Sequence, residues 1–192
     1  MKKLIIAALV GGLILFGWNA LSWMALPIHH DTFMYTEHQD EILEVVNKHL
    51  DKSGTYMIPF VDNREVGMYD EEYKEAFQAL KEKQKGKPFF TIFYVKEGMS
   101  MVPLKFLMGI VNSFIAVFLV ALILGLAQDK LSGFFQRWWL VMLIPVLMCF
   151  SGPIVDMNWM GFQWHYVKGI ILDHLVSWGL VGAWLSYYMG KA

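Results

Sequence analysis

Long apolar blocks and one long charged block divide this chain. After Met1-Lys2-Lys3, residues Leu4 to Leu26 carry no charge, nor do Phe106 to Ala127 and Trp138 to Val155; a fourth apolar run, Trp164 to Met189, includes Lys168 and Asp173. An apolar helix needs about 20 residues to cross ~30 Å of hydrocarbon. The pattern therefore predicts four membrane-spanning helices, at 4–26, 105–127, 138–155 and 167–189. Pro145 falls inside the third and is expected to kink it, because proline removes a backbone donor. Small residues four apart, Ala7/Gly11 and Ala8/Gly12 on the first run and Gly179/Ala183 and Gly182/Ser186 on the last, suit close helix approach.

Between them, residues 27–104 read as a folded aqueous domain. Thr36 and Gln39 form a candidate capping box. They open a helix to about Lys52 with Ile42, Val45, Val46 and Leu50 on one face and Gly54 to end it. Thr55–Phe60 reads as a short strand limited by Pro59. Asp70 can cap a second helix, acidic at its start and Lys-rich at its end, stopped by Gly86 and Pro88. Phe89–Val95 is aromatic and β-branched, the best strand in the sequence. A strand–helix–strand crossover with a parallel pair is expected. The fold class is thus a membrane all-α four-helix bundle with a small α/β extracytoplasmic domain inserted between the first and second helices. Two short strands hardly stand alone, so the domain is expected to be weakly stable by itself.

Composition supports this division. The chain is 56% hydrophobic and only 17% charged, whereas charged residues approach a quarter in soluble domains. Fourteen of 17 acids and nine of 16 bases lie between Pro27 and Leu104, so the charge is gathered into one segment. A net charge of -1 without a basic block argues against nucleic acid as a partner. Cys149, the only cysteine, leaves no disulfide framework or Cys-based metal motif.

The first run is too long for a signal-peptide core, and Trp18, Trp23 and Leu26 stand where a small-residue cleavage site belongs, so a retained helix is expected. Lys2, Lys3, Lys130, Arg137 and Lys191 fall on one side if both termini are inside, as the positive-inside rule prefers; residues 27–104 are then outside.

Candidate chemistry centres on Asp173 and His174 in the last run. Neighbouring helical residues diverge by ~100°, so each must find partners on other segments. Ionisable groups inside a membrane are costly and commonly mark a functional path. The structural reading has Asp173 accepting hydrogen bonds from Asn19, Ser22, Asn112 or a tryptophan N–H and fixing the bundle register. Asp173, His174, Asn19 and Asn112 are accordingly the candidate intramembrane polar site. An alternative is a metal or haem site near the outer surface. There His29, His30 and His165 could hold zinc, copper or haem, with Met99 and Met101 as soft ligands, although no recognised metal spacing is present. The sequence contains no GxSxG, HExxH, phosphate-binding Gly loop or CxxC, which gives no support to an enzyme and implies no resident cofactor.

Four segments carry a resemblance: Phe16–Pro27 (FGWNALSWMALP), Gly54–Pro59 (GTYMIP), Asn158–Phe162 (NWMGF) and Ser177–Gly182 (SWGLVG). Together they resemble an uncharacterised family of small bacterial four-helix inner-membrane proteins with a periplasmic domain after the first helix. The resemblance implies a bacterial inner (cytoplasmic) membrane, an intact first helix and a periplasmic 27–104 domain, the positive-inside rule adding cytoplasmic termini; it transfers no activity to any residue. The expected role is a non-enzymatic accessory, assembly or interaction subunit. Its partners would be the lipid bilayer and other membrane subunits or further copies. A metal, haem, proton or small-solute site in the outer half of the bundle is the rival.

Overall fold

The structure, a computed structural model, describes residues 1–98 and 103–190. In chain order these form α1 (Lys2–Met24), a 3-10 turn (Pro27–His29), α2 (Gln39–His49), β1 (Gly54–Ile58), α3 (Glu71–Gln84) and β2 (Phe90–Tyr94). There follow α4 (Pro103–Leu126), a 3-10 turn (Gln128–Lys130), α5 (Phe134–Ser151), α6 (Pro153–Trp159) and α7 (Trp164–Met189). Two compact units result: Met1–Tyr35 with Met101–Ala192, and Thr36–Ser100. The sequence boundary fell at Pro27, but residues 27–35 belong to the helical unit.

In that unit α1 packs on α4 and α7, and α7 also packs on α5. The core is built from Ala7, Leu15, Val117, Ala121, Leu124, Val141, Trp178, Val181 and Leu185. Gly12 permits a close approach of α1 to the backbone of α4, since a Cβ there would lie 2.9 Å from the Phe114 Cα. Gly182 does the same for α7 against Trp138 and Val141, at 3.3 and 3.2 Å. The small-residue pairs of the last run therefore serve packing within the chain, and α5 adds a hydrogen bond from Trp138 Nε1–H to the Gly179 carbonyl at 3.0 Å.

The outward positions are apolar as well. Ile5, Leu9 and Leu13 on α1, Ile115, Leu119 and Ile123 on α4, and Leu143, Leu147 and Phe150 on α5 are all exposed. A water-soluble bundle puts charge on such faces. Four helical segments, Lys2–Met24, Pro103–Leu126, Phe134–Trp159 and Trp164–Met189, are long and apolar enough to cross a membrane.

α5 contains Pro145, which is buried, and runs on to Ser151. The helix breaks at Gly152-Pro153, where a residue without a side chain precedes one whose ring would strike the preceding turn.

In the smaller unit, β1 and β2 pair antiparallel, from Gly54 opposite Tyr94 to Ile58 opposite Phe90. The expected parallel crossover is therefore wrong. A parallel pair needs one return leg, and α3 alone was assigned that task. Residues 59–70 supply a second leg that can reach up to ~40 Å when extended, so loop and helix go out and back to the same end of the sheet.

Helix boundaries move too. Thr36 is not the cap: α2 starts at Gln39 after His38, and the Thr36 hydroxyl accepts only the His38 N–H, at 3.4 Å. Gly54 does not end that helix, which stops at His49; it opens β1. Asp70 precedes α3 as expected, but its carboxylate accepts the Gly67 N–H at 2.7 Å instead of capping the helix through its side chain. Tyr94 O–H donates to Asn47 Oδ1 at 2.8 Å and ties β2 to α2.

Candidate functional site

The site starts from how α1 ends. The Ala25 and Leu26 N–H groups both reach the Leu21 carbonyl at 3.0 Å, after which Leu26 is extended, as residues before proline are. Pro27 opens a 3-10 turn whose last residue, His29, folds back over the end of the helix. Trp23 stacks on the imidazole with ring centroids 3.7 Å apart and planes within 10°. Gly169 makes the space on the other side, since a Cβ there would lie 2.8 Å from His29 Nδ1.

Trp18 and Ser22 are four apart on α1, and Gly169 and Asp173 four apart on α7; such residues share a helix face. These faces meet. Trp18 Nε1–H donates to Asp173 Oδ1 at 3.1 Å, and the Ser22 hydroxyl donates to the same oxygen at 2.5 Å. His29 Nε2 lies 2.8 Å from Asp173 Oδ2 and 3.2 Å from Ser22 Oγ. A carboxylate only accepts, so Nε2 carries the proton here, and Nδ1 accepts from the Thr32 hydroxyl at 3.1 Å. The His29 and Asp173 side chains are only 5% and 8% exposed, which makes this a fully paired buried cluster.

Above it, Lys168 donates to Asp31 at 2.5 Å, and that hydrogen bond holds the Asp31 carboxyl below its ordinary range. Phe33 meets Tyr166 edge-on and Tyr166 stacks on Phe162, closing an aromatic roof.

Ser22, His29 and Asp173 are the residue types of a hydrolytic triad, but the wiring differs. In a triad the carboxylate orients one imidazole nitrogen while the other takes the serine proton. Here serine and aspartate both face Nε2, and the serine proton points at the carboxylate. Ser22 is 0% exposed, so no substrate can reach it.

Comparisons with protein-family models, curated proteins and solved structures find no match. The geometry must therefore supply the functional reading.

Of the candidates from sequence, Asp173, His174 and Asn19 line one cleft of about 360 Å³, together with Leu15, Trp23 and Trp178. Asn112 does not join them; it sits exposed on α4. His174 diverges from Asp173 along the helix, yet both border this cleft. His29 belongs with Asp173. His30 is exposed, and among the described residues no group of three or more His, Cys, Asp or Glu is placed to hold a metal ion. Met99 and Met101 lie outside the described residues.

Sequence reasoning foresaw Ser22 and a tryptophan N–H as partners of Asp173 but assigned His29 to a different cluster. The available signal was spacing: Trp18-xxx-Ser22, with a turn at Pro27 that brings back His29, seven residues after Ser22, matched by Gly169-xxx-Asp173.

Gly169→Ala is expected to push His29 off Asp173, costing about 1–3 kcal/mol as over-packing does. Thermal unfolding in detergent would show this. In His29→Ala the same glycine change should cost almost nothing, because the ring it strikes is gone; equal costs in both backgrounds would remove this account of Gly169.

Proposed function

We propose that the chain is a four-span bacterial inner-membrane protein with both termini cytoplasmic and its Thr36–Ser100 unit periplasmic. It acts as a non-enzymatic accessory or assembly subunit of a membrane complex. The sequence resemblance and the distribution of Lys and Arg support the location and orientation; the apolar outer faces of the helices support residence in lipid.

One observation carries the role. Within the smaller unit, Ile42, Leu43 and Val46 of α2 and Ile92 and Phe93 of β2 line a groove of about 750 Å³, and its walls are mainly apolar. Apolar surface of this kind marks an interaction face. Among the described residues β2 is paired on one side only, so its other edge offers a template for a third strand. The occupant we assign is an extended apolar segment of a partner membrane protein, adding to β2 and placing alternate side chains in the groove.

The buried cluster fits the same reading. Three donors satisfy Asp173 and tie α7 to α1, the work of a structural clasp.

Purification of the full chain from its native membrane in mild detergent is expected to give a complex heavier than a monomer and of fixed composition. Phe93→Glu should release the partner while the chain remains in the membrane. A monomer with no co-purifying subunit, or a complex indifferent to Phe93→Glu, would count decisively against an interaction module of this kind.

A further inference from the structure

We propose that the cleft beside Asp173 binds an uncharged, oxygen-bearing group of a lipid-soluble molecule. The inference rests on the reading of the apolar helices as membrane spans.

Its polar inventory leads there. A carboxylate offers about four lone-pair positions, and three donors already occupy Asp173. The Ser177 hydroxyl is turned to the His174 backbone carbonyl at 3.4 Å. The His174 ring and the Asn19 amide line the same cleft and have no hydrogen-bond partner among the described residues. In hydrocarbon, such groups left unpaired cost free energy, and a guest that pairs with both lowers it.

Charge and shape narrow the guest. An anion would meet the negative charge of Asp173, whereas a cation would have to displace donors that already occupy its oxygens; a neutral group suffers neither cost. The remaining walls are apolar and aromatic, with Leu15, Trp23 and Trp178 among them. About 360 Å³ falls within the usual range of small-molecule pockets, roughly 300–1,000 Å³, and accommodates a single-ring head group. Asn19 and Trp23 are exposed on α1, so the cleft opens onto the apolar outer surface, and a molecule dissolved in lipid can enter sideways. Asn19 is five residues from the end of α1, which places it about 7–8 Å along the helix from that end.

The shared chemistry is a carbonyl or hydroxyl oxygen accepting from the His174 ring N–H and the Asn19 amide, with an apolar body between the tryptophans. An isoprenoid quinone and the ester region of a phospholipid both provide it.

The test uses the full chain purified in mild detergent, titrated with a short-chain benzoquinone and followed by quenching of tryptophan fluorescence, with organic extraction and mass spectrometry of any lipid retained. Saturable quenching is expected. His174→Leu and Asn19→Leu should each weaken it about tenfold, the loss of one buried hydrogen bond. Ala116 also lines the cleft, and Ala116→Phe should abolish the quenching by filling it. Asn19 is exposed, so Asn19→Leu keeps the test meaningful if a core variant fails to fold. Quinone binding with this variant pattern assigns the quinone; stoichiometric phospholipid retained by the wild type and lost from Asn19→Leu assigns the lipid. Non-saturable partition that is identical in every variant, with no retained molecule, overturns the proposal. A reporter fused after Lys52 should read outside and one after Ser132 inside. Correct reporters with no binding reject the cleft alone, whereas reversed reporters reject the span arrangement beneath it.

Discussion

Asp173→Ala is expected to destabilise the helical unit by about 2–5 kcal/mol, taking three hydrogen bonds at the ~0.6–1.7 kcal/mol found for such bonds between membrane helices. The alanine leaves Trp18 Nε1–H, the Ser22 hydroxyl and His29 Nε2–H facing a space with no acceptor. Ser22 can recover partly by bonding to the carbonyl one turn earlier on α1, or to His29 at its present 3.2 Å. His29 Nε2–H can fall back only on the Ser22 oxygen at that longer distance, because Trp23 stacks on its ring and the ring fills the space beside Gly169.

Asp173→Asn provides the contrast. Its amide oxygen can still accept from Trp18 and Ser22, and its NH2 can donate to His29 Nε2 if the ring moves its proton to Nδ1 and donates to Thr32. The expected cost falls to about 1 kcal/mol. Thermal unfolding of the three proteins in the same detergent checks the order wild type, Asn, Ala. An alanine variant as stable as the wild type would end the clasp reading. An Asn variant as poor as Ala would mean that the negative charge, not the hydrogen-bond pattern, holds the helices.

Gly12→Leu is expected to be the most damaging change outside this cluster. A Cβ at Gly12 would lie 2.9 Å from Phe114 Cα, 3.0 Å from its backbone N and 3.4 Å from the Ser113 carbonyl carbon. All three are backbone atoms, which cannot rotate away, so α1 and α4 must separate. Over-packing commonly costs about 1–3 kcal/mol, and leucine at a backbone contact should reach the top of that range. Gly11 differs: its nearest neighbour is Val117 Cγ1 at 2.7 Å, a side-chain atom that can turn aside. Gly17 is the control. Nothing lies within 4 Å of its Cβ position, and Gly17→Ala should gain up to about 1 kcal/mol from helix propensity. Unfolding of Gly12→Leu, Gly11→Ala and Gly17→Ala in parallel reads this directly; a harmless Gly12→Leu would show that the α1–α4 contact is not tight.

The two changes probe different kinds of adhesion. Gly12 reports on close packing, which in lipid replaces the hydrophobic driving force between helices, and Asp173 on polar pairing. Asn19→Leu touches neither, and so separates the cleft from the scaffold.

Elements whose cause is local were readable from the chain itself. Apolar length places α1, α4, α5 and α7, and the cluster of aromatic and β-branched residues at 90–94 places β2. A buried role for Asp173 was also legible, because an acid within an apolar run must find partners. Tertiary structure decided which partners. Trp18, Ser22 and His29 stand 155, 151 and 144 residues away in sequence, and no periodicity reports a meeting over such distances. It also decided the antiparallel sheet, since the direction of the chain after twelve loop residues is not a local property. The break at Gly152-Pro153 has the same origin: α5 continues past the buried Pro145 and ends where Gly152, whose missing side chain leaves room beside the Met148 carbonyl, precedes Pro153. Sequence determined the helices and the need to satisfy a buried charge; only packing could decide that a histidine from a turn, admitted by the missing side chain of Gly169, would satisfy it.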